Sequence, residues 1–197
     1  MNPVASTPRE LRTRRLILRS IRESDEELYY SLYCDPETMR FIGPAWTRAE
    51  AVRAFRGVLD ATRATPPRAL FLMMVPKPAQ EPIGLCTLQN FDPAGRRIEM
   101  GVMVASQVRA RGLASEALVA VITHTFDTMP VDEVWVRIAL DHAACERTAE
   151  IIGLVRRAEA APEDLARNVS RWSAYRGSWR PTAASERVSV HYSAAND

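Results

Sequence analysis

The spacing of hydrophobic and polar residues changes several times along the chain, and each change predicts an element. In "RLILRS" (15–20), Leu16 and Leu18 alternate with Ile17 and Arg19, the two-residue period of a strand. Ser24 and Asp25 are then placed to cap an acidic helix through "DEELYYSLY". "DPETMRFIGPAW" (35–46), with two prolines and a glycine, predicts a loop. Thr47 is placed to cap a second helix, "RAEAVRAFRGVLDATRA", whose Ala51, Phe55 and Val58 share one side, and "TPP" (65–67) ends it. Three strand-like runs follow: "RALFLMMVP" (68–76), "PIGLCTLQNF" (82–91) and "RRIEMGVMVA" (96–105). "KPAQE" and "DPAG" separate them as turns, so antiparallel hairpins are the economical arrangement.

Helical spacing returns in "QVRARGLASEALVAVITHTFD" (107–127), with Leu113, Ala114, Ala117, Leu118, Val121, Ile122 and Phe126 on one stripe. "VDEVWVRIAL" (131–140) is β-rich and apolar, as expected of a central strand. Asp141 is positioned to cap "HAACERTAEII", which Gly153 terminates at its C′ position. "LVRRAEA" and "NVSRWSAYRGSW" supply two last strands. The order predicts one mixed α/β (α+β) domain over residues 1–179, built around a central sheet. The Ala- and Ser-rich residues 180–197 are expected to form a loosely ordered tail.

A length of 197 residues suits one domain, and an apolar content of 47% is enough to fill its core. The net charge of +2 gives no global reason to invoke nucleic acid or a membrane surface. RNA binding would call for a basic run with interleaved aromatics, which the sequence lacks. Lys77 is the only lysine, a bias better ascribed to codon usage than to an arginine function. Cys34, Cys86 and Cys145 lie far apart with no CxxC, so neither a metal site nor a disulfide framework is suggested. An odd cysteine count, no apolar core of signal-peptide length and no bilayer-length run make a soluble cytoplasmic protein the expectation.

The start of the 107–127 segment carries the chemistry. A strand feeding directly into a helix N-terminus makes an anion site, because the first amides have no partner within the helix and the macrodipole points its positive end outward. Small residues let an anion approach the backbone. Here Ala110, Gly112 and Ala114 alternate with Arg109, Arg111 and Leu113. An ordinary helix start with exposed arginines is the competing reading. The run is neither a P-loop, since the Lys-Ser/Thr pair is missing, nor a Rossmann fingerprint, since GxGxxG is absent.

"RARGLA" (Arg109 to Ala114) resembles the Q/R-x-x-G-x-G/A signature of the GNAT superfamily of N-acetyltransferases. "RARGLASEA" is similar to the "GKGYATEA" run of the branch that includes ribosomal-protein N-terminal acetyltransferases. "LRTRRLILRSIRESDEE", "PIGLCTLQNFD" and "DHAACERTAEIIGL" resemble that branch's opening strand and helix, its third strand and its later "N-x-x-S" helix, so the likeness covers about residues 10–178. The resemblance implies a mostly antiparallel twisted sheet, splayed between the strands at 96–105 and 131–140. Acetyl-CoA would enter the gap as co-substrate. Backbone groups near Val102, Met103 and Val104 would pair with its pantetheine and polarise the thioester carbonyl. Amides of Arg109, Ala110, Arg111, Gly112, Leu113, Ala114 and Ser115 would take the pyrophosphate. The sequence departs from the pattern at Ala110 (a glycine in the branch), Leu113 (an aromatic), His142 (asparagine) and Cys145 (serine).

Acetyl transfer to an amine requires the amine neutral, which is easier for an α-amine near pKa ~7.8 than for lysine near ~10.4. Alternation puts Arg97, Glu99 and Gly101 on one strand face. Glu99 resembles the family's strand carboxylate, which acts as base through water. An ion pair with Arg96 or Arg97 is the alternative. The tyrosine acid of many members falls at Ala149, so the acid passes by analogy to Cys145, since a thiol with an ordinary value of about 8.5 can protonate a thiolate. A small buried side chain is the alternative there. His142 is a candidate for pantetheine contact or proton carriage. Residues 36–46, with Trp46, and the loop 160–168, where Glu163 and Asp164 could attract a cation, would form the acceptor side. The expectation is a direct-transfer N-acetyltransferase without a metal, acting on a protein N-terminus or a small amine, with homodimerisation left open. The alternative is a GNAT-fold regulatory module that binds CoA without catalysis.

Overall fold

The computed structural model describes residues 10–78, 81–109, 111–158, 161–181 and the backbone of 191–192. Its elements in order are β1 (Glu10–Arg12), β2 (Leu16–Ser20), α1 (Glu26–Cys34), α2 (Pro36–Met39), α3 (Arg48–Arg63), β3 (Leu70–Pro76), β4 (Gly84–Asp92) and β5 (Arg97–Val104). They continue with α4 (Leu113–Thr128), β6 (Glu133–Ala139), α5 (Ala143–Ile151), β7 (Val155–Arg156), α6 (Pro162–Ala166), β8 (Val169–Tyr175) and β9 (His191–Tyr192). Among the described residues the strands form one nine-stranded sheet, ordered β7-β8-β6-β5-β4-β3-β2-β1-β9. Every neighbouring pair is antiparallel except β5 and β6, which are parallel. The expected mixed α/β sheet is thus present.

Helices cover both faces, and β3 shows why its sequence reads as an unbroken apolar run. Leu70, Leu72 and Met74 join the core beneath α4 and α5, while Phe71 and Met73 join the one beneath α1 and α3. A strand buried on both faces has no polar side to alternate with. Similarly, α4 is buried around most of its circumference, Ala117 to Ile122 without a break, because it lies against the sheet centre.

Local chemistry sets the helix ends. Thr47 and Glu50 form a reciprocal capping box at the start of α3. Gly153, at φ +78°, closes α5. Its N–H donates to Glu150 and that of Leu154 to Ala149, a Schellman arrangement whose apolar contact is between buried Leu154 and Ala149. Three expectations require correction. The 35–46 segment contains the short helix α2, with Pro36 in its first turn and Asp35 as its cap. The 160–168 loop contains α6, again led by a proline. The residue capping α5 is His142, not Asp141, and neither supplies a side-chain cap bond. Of the expected tail, residues 182–190 and 193–197 lie outside the described residues, and the backbone of 191–192 pairs with β1.

Candidate active site

β5 and β6 pair only at Arg97–Glu133, Ile98–Val134 and Glu99–Trp135. Beyond that point β5 stays bonded to β4 as far as Val104, and β6 stays bonded to β8 along its length. The sheet therefore forks. On the side facing β6, the segment from Met100 to Val104 has no ladder partner, although main-chain N–H and C=O groups require one. Arg109 takes one of these groups, its Nε donating to the Val104 carbonyl at 3.1 Å.

The open end of β5 leads through a 3-10 turn (Ser106–Val108) to Gly112, the N-cap of α4. Gly112 has φ +67°, a left-handed conformation costing other L-residues about 1–2 kcal/mol. No side chain caps the helix. Its leading amides are thus without intrahelical acceptors, at residues 113–115, which are only partly buried. Arg109 and Arg111 flank this turn and are exposed, whereas Ala110 lies outside the described residues.

A buried ion pair backs the turn. Glu116, 6% exposed, accepts from the Thr13 hydroxyl (2.6 Å), the Arg15 N–H (2.7 Å) and Arg15 Nε (2.6 Å). The Arg15 guanidinium also donates to the Arg111 and Gly112 carbonyls at 2.9 and 3.1 Å. Burial alone would raise the Glu116 pKa. The bonds from Thr13 and Arg15, with the arginine's charge, outweigh it and leave the carboxyl below its ordinary value.

The closed end of the fork carries a second charged network. Glu99 accepts from Arg137 Nη1 and from Asn90 Nδ2, each at 2.7 Å. Its ion-pair partner is therefore Arg137 on the facing strand. Arg96 and Arg97, the neighbours considered from sequence, bond Asp132 and Asp92 instead. Arg137 continues to Asp164 (3.2 Å), Asp164 to Arg171 (3.0 Å) and Arg171 to Glu163 (3.4 Å). Both guanidiniums lie over the Trp135 ring, 4.5 and 4.3 Å from its centroid, as cation–π partners. Asp164 is 1% exposed and held by two arginines, so it does not face solvent as a cation attractor. Glu163 is exposed.

The start of α5, beyond the open end of β6, meets the segment after α2. The His142 ring stacks on Phe41 with centroids 3.9 Å apart. Arg109 donates to the Thr38 hydroxyl (2.9 Å) and lies 3.5 Å from Glu37. Burial, then the charges of Arg109 and Arg40, lower the His142 pKa against the opposing pull of Asp141. Burial also pushes the Cys145 thiol up, and its side chain packs on the core. Ala149, at the expected tyrosine position, is fully inside the core. Arg109 thus joins Val104 to Thr38 and Glu37 of α2, while Phe41 joins His142. Glu99 sits five residues back along β5, about 17 Å by strand rise. Trp46 stacks on Tyr33 and lines a shallow hollow with Glu50, Arg53 and Ala54, within the α1–α3 layer. Sequence spacing gave no sign of Arg15, Glu116 or Arg137, whose partners lie 27 to 103 residues away. Among the described residues no group of His, Cys, Asp and Glu is placed to hold a metal, and no helix is long and apolar enough to cross a membrane.

Comparison with known proteins agrees with this geometry. No curated protein matches the sequence at a significant level. The acetyltransferase (GNAT) domain family matches residues 15–155. An acetyltransferase structure from Agrobacterium tumefaciens superposes with TM-score 0.72 at 22% identity, over 86% of this chain and 95% of that one. A GNAT-family acetyltransferase from Bacillus anthracis gives 0.69 at 17%, over 86% and 99%. The spermidine N-acetyltransferase of Vibrio cholerae, in complex with CoA and spermine, gives 0.70 at 15%, over 82% and 96%. At such identities the superpositions speak for the fold, and the family match spans the fork, the turn behind it and every strand from β2 to β6: the chain belongs to the acetyltransferase (GNAT) domain family.

Proposed function

We propose that the chain binds acetyl-CoA in the β5–β6 fork and transfers its acetyl group directly to an amine in a ternary complex. The observation that carries this reading is the half-paired β5–β6 ladder, whose open end leads into the uncapped start of α4. The residues present fit the ligand. Leading amides of α4, small side chains and two flanking arginines suit a diphosphate, with Arg109 to Ser115 supplying the donors. The free edge at Val102, Met103 and Val104 suits an amide-bearing arm, and a main-chain N–H there would polarise an acyl carbonyl. When bound, acetyl-CoA supplies an acetyl group activated as a thioester.

The remaining chemistry belongs to side chains. Both Glu99 oxygens are engaged, but each keeps a further lone pair with which to accept a proton from the amine through water. Burial keeps Cys145 a neutral thiol, able to donate a proton to the sulfur released when the C–S bond breaks. His142, stacked on Phe41, is a candidate for pantetheine contact or proton carriage. Three carboxylates (Glu99, Glu163, Asp164) against two guanidiniums (Arg137, Arg171) leave the closed end net negative, which favours an acceptor that arrives as an ammonium. A small amine or a protein N-terminus meets that requirement, and the similar fold of a polyamine acetyltransferase supports the former. Three free cysteines support a cytoplasmic setting.

A second reading, a CoA-binding module without turnover, draws on the alanine at the tyrosine position and on the capture of Glu99 by Arg137. Calorimetry with CoA, followed by thiol release from acetyl-CoA across polyamines, amino acids and N-terminal peptides, tests both. Binding with turnover is expected. Binding without turnover on any acceptor favours the module, and no heat with CoA overturns both.

A further inference from the structure

The Arg15–Glu116 pair lies outside every role assigned above. We infer that Arg15 is a positioning residue for the diphosphate-binding turn, holding its amides outward and cancelling a carboxylate that would otherwise oppose the ligand. This rests on the proposed binding of CoA at that turn.

Peptide geometry supplies the first half. In a trans peptide the C=O and the following N–H point in opposite directions. The Arg111 carbonyl shares a peptide with the Gly112 N–H, and the Gly112 carbonyl shares one with the Leu113 N–H. Arg15 holds both carbonyls from behind, at 2.9 and 3.1 Å, and thereby aims both N–H groups away from itself. Gly112 is the residue whose left-handed backbone makes this turn possible, and a Cβ built on it would come within 3.6 Å of Arg15 Nη2.

Electrostatics supplies the second half. Glu116 is the fourth residue of α4, so its charge lies in the first turn, where an incoming anion must go. Unpaired, it would repel a diphosphate. Arg15 Nε neutralises it at one oxygen, and Thr13 and the Arg15 N–H both donate to the other. The β1–β2 turn that presents Arg15 is itself anchored. The Lys77 N–H donates to the Arg15 carbonyl (2.8 Å), Lys77 Nζ to the Thr13 carbonyl, and the Leu16 N–H to the Thr13 hydroxyl (3.0 Å). Arg15 therefore reaches the turn from a fixed base.

The test is CoA affinity by calorimetry for wild type, Arg15→Ala, Glu116→Gln and the double variant, with a melting curve for each. Arg15→Ala is expected to weaken CoA binding about tenfold or more, the usual scale for residues that orient a ligand's direct contacts. Glu116→Gln keeps one acceptor oxygen for Thr13 and the Arg15 N–H and loses the charge and the acceptor for Arg15 Nε. With the guanidinium still held by the Arg111 and Gly112 carbonyls, it is expected to bind CoA at least as tightly as wild type. The double variant is expected to recover much of the Arg15→Ala loss, which a purely structural role would not allow. If Arg15→Ala does not fold, Arg15→Lys decides, since it keeps the charge but cannot reach both carbonyls: weaker binding at an unchanged melting temperature supports the inference. Wild-type affinity in a folded Arg15→Ala or Arg15→Lys protein overturns it while leaving the CoA site standing. An equal loss in Glu116→Gln and Arg15→Ala also overturns it. Absence of binding by the wild type removes the site and the inference together.

Discussion

Glu116 and Asp164 are both buried carboxylates beside the fork, yet they are satisfied in opposite ways. Glu116 draws on a hydroxyl, a main-chain N–H and one partly exposed arginine, and its network ends on carbonyls of the α4 turn. Asp164 draws on two arginines stacked over Trp135, and its network contains only side chains. In the first, each oxygen of Glu116 and each nitrogen of the Arg15 guanidinium has a hydrogen-bond partner. The second leaves the Trp135 indole N–H and Arg171 Nε without hydrogen-bond partners, and Asp164 Oδ2 lies near Arg171 Nη2 without hydrogen-bond alignment. A saturated network immobilises backbone, whereas one with unused donors keeps capacity for a further polar partner. On the proposed function, the first network suits holding a constant group and the second suits meeting a variable one.

The sharpest break in that contrast is Asp164→Ala. It removes the buried partner of the nearly inaccessible Arg171 and one of the two carboxylates on Arg137, and should cost about 3–5 kcal/mol in urea denaturation. A loss below about 1 kcal/mol, the scale of a surface pair, would mean that Glu99 and Glu163 suffice for both arginines. Next comes Glu99→Gln, expected to lower kcat/KM about a hundredfold, as befits a proton acceptor, with the melting temperature little changed. An unaltered rate would make Glu99 purely an anchor for Arg137. Gly112→Ala, at the saturated end, should destabilise by about 1–2 kcal/mol through its left-handed backbone, and stability unaffected by that methyl would show that the turn relaxes.

The smallest effect concerns pH. His142 has its pKa lowered in the folded state, chiefly by burial, so the unfolded chain binds a proton first as pH falls. Its contribution is therefore fully present above the ordinary histidine value, about 6.5, and lost as pH drops toward the lower folded value. Between pH 7 and 5.5 the melting temperature of wild type should fall more steeply than that of His142→Gln. Parallel slopes would show that the Phe41 stack tolerates an imidazolium.

Much of the fold could be read from the sequence because its signals are local. The α3 capping box spans four residues, the α5 stop depends on Gly153 and its neighbours, and β3 announces double burial by its unbroken apolar run. The turn before α4 was equally local, a glycine among small residues and arginines. What escaped was short or distant. β1 has three residues, too few to show a period, and the prolines opening α2 and α6 read as loop punctuation although proline suits a first helical turn. Glu99 was visible as a candidate, but its partner was not, because pairing across the fork depends on strand register rather than on sequence distance. Glu116 stood among the apolar residues of the α4 segment but off their stripe, and only the folded β1–β2 turn gives it a role.

Lys77 is the one lysine among 26 basic residues, and its ammonium is bonded to the Thr13 carbonyl. A member of the acetyltransferase (GNAT) domain family thus carries a single side-chain amine of its own, already engaged in hydrogen bonding. The same scarcity makes Lys77 a built-in reporter: the speed at which an amine-reactive label modifies it will track how firmly the strand turn beside Arg15 stays docked.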